Sequence, residues 1–255
     1  MTNKEMLRIA MEQSAMDINC KADDFLKKNN VVVRYKMRPS AKKYYKEPTA
    51  CILISYGSNI VASVKDEYRE IVTEYINKFE FYHCFETPNL HWLDERLAEK
   101  GQRVCFMAEY HLPDVDKLHR RPCDYELRVL EAPHFSSLYN PEWSNALCEE
   151  RKHLDVLGVG AYDGDKLIGL AGCSADCELM WQIGVDVLPE YRRKGVASAL
   201  TSRLAIEILE RDKVPFYCCA WSNIRSARNA VKSGFIPAWV EMSVKPREIV
   251  YEMNK

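Results

Sequence analysis

Several familiar signatures are missing from this chain of 255 residues. It has no GxxxxGK[ST] loop, no GxGxxG fingerprint opening a helix and no GxSxG turn. These absences argue against a P-loop nucleotidase, a dinucleotide-binding enzyme and a hydrolase with the usual nucleophile turn. An apolar run of about 18 residues is also missing, so we expect no transmembrane helix.

Metal-binding spacing is missing too, although cysteine is not scarce. The ten cysteines include no CxxC pair, and no histidine pair lies at ligand spacing. We therefore expect no metal site and interpret the cysteines as reduced, mostly buried thiols. The first 20 residues carry scattered charges and no apolar signal segment. These features predict a cytoplasmic protein.

A strong charge of either sign is likewise absent, because the formal net charge is −1. Bulk charge therefore points neither to nucleic acid nor to an anionic membrane as a partner. With 47% hydrophobic and 29% charged residues, the composition is typical of a globular protein that buries a substantial core. Any binding of phosphate must depend on a local cluster of cations.

The order of elements predicts a mixed α/β fold, with strands and helices sharing mixed sheets. The charged, proline-containing segment 113–124 is the predicted linker between a domain 1–122 and a domain 123–255. In the second domain we expect a hairpin turning at Gly164, then strand, helix, strand, helix and strand. Further predictions are a short strand at 81–85 and helices within 134–154.

An internal repeat supports a two-part organisation. Residues 81–112 and 215–245 each run strand, asparagine-containing cap, helix, glycine and strand. A duplicated fold would explain this shared plan, and chance similarity of one αβ unit is the alternative. The pattern favours a smaller α/β N-terminal half related to the C-terminal half.

The segment YRRKGVASAL, residues 191–200, places three cations and a glycine where a strand meets a helix. A helix start carries unsatisfied N–H groups and a partial positive charge. Small residues at Gly195, Ala197 and Ala199 would let a phosphate approach those groups. Either this is a solvated basic turn, or it is a site for a pyrophosphate.

The surrounding residues resemble the GNAT superfamily of N-acetyltransferases. Arg192, Gly195 and Ala197 match its Arg/Gln-x-x-Gly-x-Gly/Ala motif, which lies between the fourth strand and the next helix. An asparagine-capped helix that ends in Gly234-Phe235 resembles the second marker of the family. The resemblance implies a GNAT fold in the C-terminal half and a degenerate GNAT-like unit in the N-terminal half. The turn at 64–76 of that unit is acidic and lacks glycine, so we expect one cofactor site.

The resemblance implies an acetyl-CoA-dependent N-acetyltransferase that acts on a primary amine of a small, unidentified acceptor. The implied cofactor site combines strand backbone for the pantetheine arm, the basic turn for the pyrophosphate and the start of a later helix. Its residues are Ile183, Gly184, Val185, Val187, Arg192, Arg193, Lys194, Gly195, Val196, Ala197, Ser198, Asn223 and Ser226.

The chain departs from the family pattern at the groups that handle protons. Where the family often has a tyrosine as proton donor to sulfur, this chain has Ala230, and Trp181 stands where a glutamate base is common. Glu178 is the predicted catalytic residue, acting as a base through water. Asp186 is a further candidate. The alternatives are that Glu178 is an ordinary turn carboxylate and that Asp186 only makes the strand surface soluble.

Two other functions remain open from the sequence. A GNAT fold that senses acyl-CoA without turnover would also need the basic turn and would tolerate Ala230. Alternatively, the N-terminal half could be a partner-binding module. The sequence contains no indication of the oligomeric state.

Overall fold

The computed structural model describes residues 1–45 and 48–255. Within them lie the strands β1 (Val31–Arg34), β2 (Cys51–Ser55), β3 (Val61–Val64), β4 (Gln102–Pro113), β5 (Glu126–Glu131), β6 (Asp155–Asp163), β7 (Lys166–Ser174), β8 (Met180–Val187), β9 (Val214–Cys219) and β10 (Phe235–Pro246). The α-helices are α1 (Asn3–Ile18), α2 (Arg69–Lys78), α3 (Thr87–Ala98), α4 (Val196–Leu209), α5 (Ile224–Lys232) and α6 (Arg247–Glu252).

The chain forms two compact units. Unit 1 comprises Met1–Ile9 and Tyr110–Pro237, and unit 2 comprises Ala10–Glu109 and Ala238–Lys255. The boundaries fall inside α1, β4 and β10. The predicted boundary after residue 122 lies within unit 1, and the division into domains 1–122 and 123–255 stays a prediction.

Unit 1 contains a mixed sheet in which the strand order is β9-β8-β7-β6-β5. Strands β5 to β8 pair antiparallel, and β8 pairs parallel with β9. Helix α4 follows β8 and connects it to β9, as a parallel pair requires. The predicted apolar stripe of α4 is confirmed, since Val196, Leu200, Leu204 and Ile208 are all buried in the core.

Unit 2 contains a second mixed arrangement, in the order β1-β3-β2-β10. Strand β1 runs parallel to β3, whereas β2 pairs antiparallel with β3 and β10. Helices α2 and α3 contribute Val72, Ile76 and Leu93 to its core. The mixed α/β fold class is therefore confirmed in both units. No helix in the described part of the chain has the length and apolarity needed to cross a membrane.

The strand predicted at 81–85 is wrong, because Phe81–His83 forms a 3₁₀ helix. Its backbone is engaged locally: the Tyr75 hydroxyl donates to the Cys84 carbonyl, and Asn89 Nδ2 donates to the His83 carbonyl. The repeat therefore lacks its first strand, and the helix–glycine–strand portion remains. Gly101 and Gly234, with φ of 71° and 99°, end the two corresponding helices in the left-handed conformation.

The α-helices predicted within 134–154 are also wrong, since only short 3₁₀ helices occur there. They span Ala132–Phe135, Pro141–Trp143 and Glu149–Leu154. Carboxylates on the sheet take the N–H groups that an α-helix would use. Asp186 accepts from Asn145 N and Ala146 N, and Asp155 accepts from Cys148 N. Side-chain acceptors thus replace the i−4 carbonyls in this segment.

Candidate functional site

The basic turn joins β8 to α4 in unit 1 and has a specific backbone path. A 3₁₀ helix at Pro189–Tyr191 leaves the strand, and Arg192 Nε donates to the Val187 carbonyl at 2.9 Å. Arg193 and Gly195 then adopt positive φ values of 64° and 83°. These two left-handed residues turn the chain sharply, so that the first turn of α4 starts directly after Gly195.

The start of α4 is open on the side where its N–H groups point. Within the described residues, no side chain caps this helix and no acidic residue lies in its first turn. The hydroxyl of Ser198 donates to the Gly195 carbonyl instead of accepting an N–H bond. A Cβ added at Gly195 would meet only the Pro122 carbonyl oxygen, at 3.9 Å. The turn therefore offers unused donors, a helix dipole and free space for an anion.

Exposed cations surround this helix start. The side chains of Arg192, Arg193 and Lys194 all belong to exposed residues. Lys194 Nζ lies 5.1 Å from the centre of the Tyr191 ring, and the Tyr191 hydroxyl donates to Asp163 at 2.9 Å. The tyrosine is therefore fixed beside the turn, and the turn presents positive charge without an internal anion to neutralise its helix start.

The part of β8 that leads to this turn is not paired with β9, and we call the region beside it the gap between β8 and β9. Their pairing runs from Met180 to Ile183 and ends at the pair Ile183–Tyr217. On its other edge, β8 continues to pair with β7 as far as Val187. The edge of β8 that faces β9 thus offers backbone groups from Gly184 onward that an extended ligand could bond like an added strand.

Helix α5 follows β9 in the chain, just after the residues at which β9 stops pairing with β8. The Asn223 side chain accepts from Ser226 N at 3.2 Å, which confirms an asparagine cap on this helix. The Ser226 hydroxyl lies 2.8 Å from the Tyr217 hydroxyl. Burial raises the pKa of Tyr217, so its hydroxyl stays protonated at neutral pH. Ala230 is fully buried in the core that also contains Tyr217.

The predicted catalytic Glu178 lies away from the basic turn. It is exposed in the turn between β7 and β8, two residues before β8 begins, whereas the basic turn follows the end of that strand. An eight-residue strand spans roughly 25 Å, so the two features lie at opposite ends of β8. The catalytic role of Glu178 stays a prediction.

The second candidate carboxylate, Asp186, is already engaged. Its Oδ2 accepts from Asn145 N at 2.8 Å and from Ala146 N at 3.0 Å, and its Oδ1 accepts from Asn145 Nδ2 at 2.7 Å. Both oxygens therefore hold the chain near residue 145. Among the described residues, no group of three His, Cys, Asp or Glu side chains could hold a metal ion.

Sequence reasoning missed Tyr217, which the structure places where β8 and β9 separate. The strand PFYCC was predicted, but a single sequence does not show which face of a strand meets a helix. The hydrogen bond to Ser226 identifies that face. The predicted cofactor residues of β8, the basic turn and α5 all belong to unit 1.

Comparison with protein families identifies the chain. The family model described as GNAT acetyltransferase matches residues 41–238, which is well over half of the sequence. The chain therefore belongs to the GNAT acetyltransferase family, whose members are enzymes. The match extends over both predicted domains and is not confined to the C-terminal half. A comparison with curated proteins finds no match.

Solved structures with distant similarity include other acetyltransferases. A GCN5-related N-acetyltransferase from Kribbella flavida is 14% identical, with 80% of this chain and 90% of that chain covered and a TM-score of 0.48. A tandem GNAT protein from the clavulanic acid biosynthesis pathway is 14% identical, with coverages of 64% and 59% and a TM-score of 0.43. A Salmonella typhimurium structure described as an acetyltransferase with its cofactor acetyl-CoA is 15% identical, with coverages of 49% and 95% and a TM-score of 0.35.

Proposed function

We propose that this protein transfers an acetyl group from acetyl-CoA to a primary amine of a small acceptor. One observation carries the proposal: the uncapped start of α4 at Gly195 follows, after one short turn, a strand whose pairing with β9 ends at Ile183. A site for a diphosphate and an edge for an extended arm thus follow one another along the chain. Coenzyme A has both chemical parts in that order.

The basic turn would bind the pyrophosphate mainly through its backbone. The N–H groups from Arg193 to Ser198 line the start of α4, and a Cβ placed at Gly195 would meet only the Pro122 carbonyl oxygen, at 3.9 Å. Arg192, Arg193 and Lys194 would add electrostatic attraction from exposed side chains, and Arg192 is held in place by its hydrogen bond to the Val187 carbonyl.

The separated edge of β8 would bind the pantetheine arm. Ile183, Gly184, Val185 and Val187 provide strand backbone, while Asn223 and Ser226 of α5 would contact the arm from the other side. A backbone N–H near Ile183 or Gly184 would stabilise the oxyanion that forms when the amine attacks the thioester. Such a donor is worth a few kcal/mol in enzymes of this type of chemistry, about 3 kcal/mol per donor.

Two protons must move during the transfer. The amine nitrogen bonds to the carbonyl carbon and loses a proton, while the carbon–sulfur bond breaks and the sulfur gains one. We assign the second proton to Tyr217, whose hydroxyl is protonated and hydrogen-bonded to Ser226 in the region where the family's usual tyrosine is replaced by Ala230. Glu178 stays the predicted acceptor of the amine proton. Because it lies five residues before Ile183, about 16 Å along the direction of the strand, a chain of waters would have to carry the proton between them.

A thiol-release assay tests the proposal. Purified protein with acetyl-CoA is mixed in turn with a polyamine, an aminoglycoside, an amino sugar and an amino acid amide, and free thiol is measured. We expect coenzyme A to bind by calorimetry and at least one amine to raise thiol release above the rate with water alone. Binding without turnover on any amine would replace the enzymatic role with acyl-CoA sensing, and absence of binding would reject the site itself.

A further inference from the structure

The charged segment between β4 and β5 is packed against helix α4. We call residues 114–122 the strap. The Arg121 N–H of the strap donates to the Ser202 hydroxyl at 3.2 Å, and a Cβ placed at Gly195 would meet the Pro122 carbonyl oxygen at 3.9 Å. The strap therefore runs along α4 from the second turn of the helix to its start, and it ends beside the basic turn.

The other end of the strap is fixed by its backbone. Asp114 N donates to the Gly234 carbonyl at 2.9 Å, and a Cβ at Gly234 would come within 2.8 Å of the Leu118 backbone. The Asp114 carboxylate accepts from Asn3 Nδ2 at 2.9 Å, and Val115 N donates to Asn3 Oδ1 at 2.8 Å. The strap is thus held at both ends and has a defined path across unit 1.

The strap and α5 cover the face of α4 that points away from the sheet. On that face Ser198 and Ser202 are polar, yet their exposed fractions are only 4% and 0%. The Ser202 hydroxyl accepts from the strap, and Asn229 Nδ2 of α5 donates to the Thr201 hydroxyl at 3.0 Å. The strap is therefore part of the protein surface next to the start of α4.

The second half of the strap carries cations and no acid. Its residues 117–122 are KLHRRP. Lys117 is already paired with the Asp114 carboxylate at 2.8 Å. Arg120 is exposed, and its side chain forms no ion pair or hydrogen bond with any residue that the structure describes. Arg120 and Arg121 therefore add uncompensated positive charge beside that of the basic turn.

The guanidinium of Arg121 has more donors than the protein uses. The residue is half-buried, and its Nη2 donates to the Lys117 carbonyl at 3.3 Å. Its Nε is buried and has no hydrogen-bond partner within the described parts of the chain. A guanidinium has five N–H donors, and a buried donor that the chain leaves unpaired calls for an acceptor from outside the chain. Arg121 is thus suited to bind an anion.

Coenzyme A carries a second anionic group that fits this position. Besides its diphosphate it has a phosphomonoester on its ribose, with a charge of about −2 at neutral pH. Pro122 borders Gly195, and Arg120 and Arg121 directly precede it. A group joined to the diphosphate through one ribose would therefore have these arginines within reach. Arginine can bind such a phosphate through two parallel N–H bonds.

We propose that the strap is a second anion site of unit 1, in which Arg121 and Arg120 bind the 3′-phosphomonoester of coenzyme A. This inference rests on the proposed function and deepens it. The basic turn binds the diphosphate, which coenzyme A shares with its 3′-dephospho form. The strap distinguishes the two forms, so a segment that precedes the first strand of the unit 1 sheet determines selectivity for the phosphorylated coenzyme.

Calorimetry with coenzyme A and with 3′-dephospho-coenzyme A measures this selectivity. We expect the wild type to bind coenzyme A about tenfold more tightly, because hydrogen bonds from a half-buried arginine to a phosphate have an effect of this size. In Arg121→Ala the affinity for coenzyme A should fall to that for the dephospho form, and the affinity for the dephospho form should not change. Arg121→Lys keeps the charge without the paired N–H groups and should recover only part of the selectivity.

Two further variants separate this contact from a loss of structure. Arg120→Ala changes an exposed side chain, so the packing of the strap is kept, and the selectivity should fall about threefold. Lys117→Ala is the matched control, because it removes a cation of the same strap whose charge Asp114 already neutralises. Both of its affinities should stay at the wild-type values.

The outcomes distinguish this inference from the proposed function. Equal affinity of the wild type for the two coenzymes would overturn the role of the strap and leave the diphosphate site standing. Unchanged selectivity in Arg121→Ala and Arg120→Ala, or an equal loss of both affinities in these variants, would overturn it as well. A wild type that binds neither coenzyme would reject the proposed cofactor site, and the role of the strap with it.

Discussion

Two strand-to-helix turns of this chain follow one plan with opposite consequences. In unit 2, β3 leads through the 3₁₀ helix Asp66–Tyr68 directly into α2, and in unit 1, β8 leads through the 3₁₀ helix Pro189–Tyr191 toward α4. Both 3₁₀ helices end in Glu-Tyr. In unit 1, four further residues, RRKG at 192–195, precede the α-helix.

Those four residues change what the helix start can bind. Helix α2 begins next to Tyr68 with Glu70 in its first turn, and Asp66 and Glu67 lie just before it. Carboxylates of the chain itself therefore neutralise that dipole. Helix α4 has no acidic residue in its first turn and begins at a glycine with φ of 83°. The comparison teaches that an anion site needs a helix start whose charge the chain leaves uncompensated.

Gly195→Asp should have the largest effect on the difference in coenzyme A binding between the two turns. The substitution strains a backbone at φ of 83°, fills the open space above the turn and adds a negative charge. We expect calorimetry to detect no binding of coenzyme A. The matched control is Gly57→Asp in the β2–β3 turn, where φ is 90° and the space is also open. If both variants bind as the wild type does, the turn in unit 1 is an ordinary basic loop.

Tyr217→Phe should have the next largest effect, on turnover alone. Removal of a general acid commonly lowers a rate about 10²- to 10⁴-fold. We expect kcat to fall within that range, with the affinity for coenzyme A unchanged. Tyr75→Phe in unit 2 removes a buried hydroxyl that donates to the Cys84 carbonyl and should leave kcat alone. A wild-type kcat in Tyr217→Phe would assign the sulfur proton to another group.

Glu241→Gln tests the contrast between hydrogen-bonded acids of unit 1 and a buried acid of unit 2. Asp186 and Asp155 of unit 1 accept backbone N–H bonds, whereas one oxygen of Glu241, in the described part of unit 2, has no hydrogen-bond partner. Burial raises its pKa to about 7, opposed by Lys42 and a hydrogen bond from Tyr45 and assisted by Asp17.

The sign of the resulting pH dependence is fixed by that raised pKa. The folded state favours neutral Glu241, so its stabilisation is complete below the unfolded pKa near 4.5 and is lost as pH rises through about 7. The shift corresponds to about 3 kcal/mol. Urea unfolding at pH 4.5 and pH 8 gives the free energy of unfolding at each pH. We expect it to decrease from pH 4.5 to pH 8 in the wild type, and to decrease by about 3 kcal/mol less in Glu241→Gln. Exposed Glu99→Gln should match the wild type, and parallel curves for Glu241→Gln would refute the assignment.

Reversal of charge at the basic turn should have the smallest effect. In the double variant Arg193→Glu with Lys194→Glu, we expect coenzyme A to bind about tenfold more weakly at low salt, because exposed charges near a helix start contribute modestly. The deficit should shrink as salt is added. Lys65→Glu with Arg69→Glu, at the corresponding turn of unit 2, should not change the affinity. A deficit that is independent of salt would indicate direct, desolvated contacts instead.

Several local features of unit 1 could be predicted from the sequence. The two segments that were predicted wrongly are those in which side chains from elsewhere in the chain bond the backbone. The amphipathic stripe of α4, the asparagine cap of α5 and the turn at Gly164 were predicted because each depends on neighbours within a few residues. The helices predicted within 134–154 do not form, because Asp186, about 40 residues away in sequence, and Asp155, at the start of the next strand, accept the N–H groups of that segment. The strand predicted at 81–85 is wrong for a more local reason, because the side chains of Tyr75 and Asn89, six to nine residues away, donate hydrogen bonds to its backbone carbonyls.

The candidate site also has a part that local sequence predicts and a part that depends on contacts between separate elements. Its basic turn was predictable as a candidate anion site, since cations, a glycine and a helix start are adjacent in the sequence. Three other contacts could not be predicted from the sequence. They are the hydrogen bonds of Asp186, the hydroxyl pair of Tyr217 and Ser226, and the packing of the Asn145 carbonyl against Gly184. Each of these joins elements that are separated by 9 to 41 residues in the chain.

By itself, the sequence determined that this is a mixed α/β chain with an uncompensated helix start at Gly195, because dipole, charge and glycine at residues 192–195 act locally. Only the tertiary structure decided which carboxylate is hydrogen-bonded, which tyrosine lies where the pairing of β8 with β9 ends, and which segment packs against Gly184. These depend on strand register and on backbone approach across the sheet, and hydrogen bonds between distant elements outweigh the weak local preferences of a short segment.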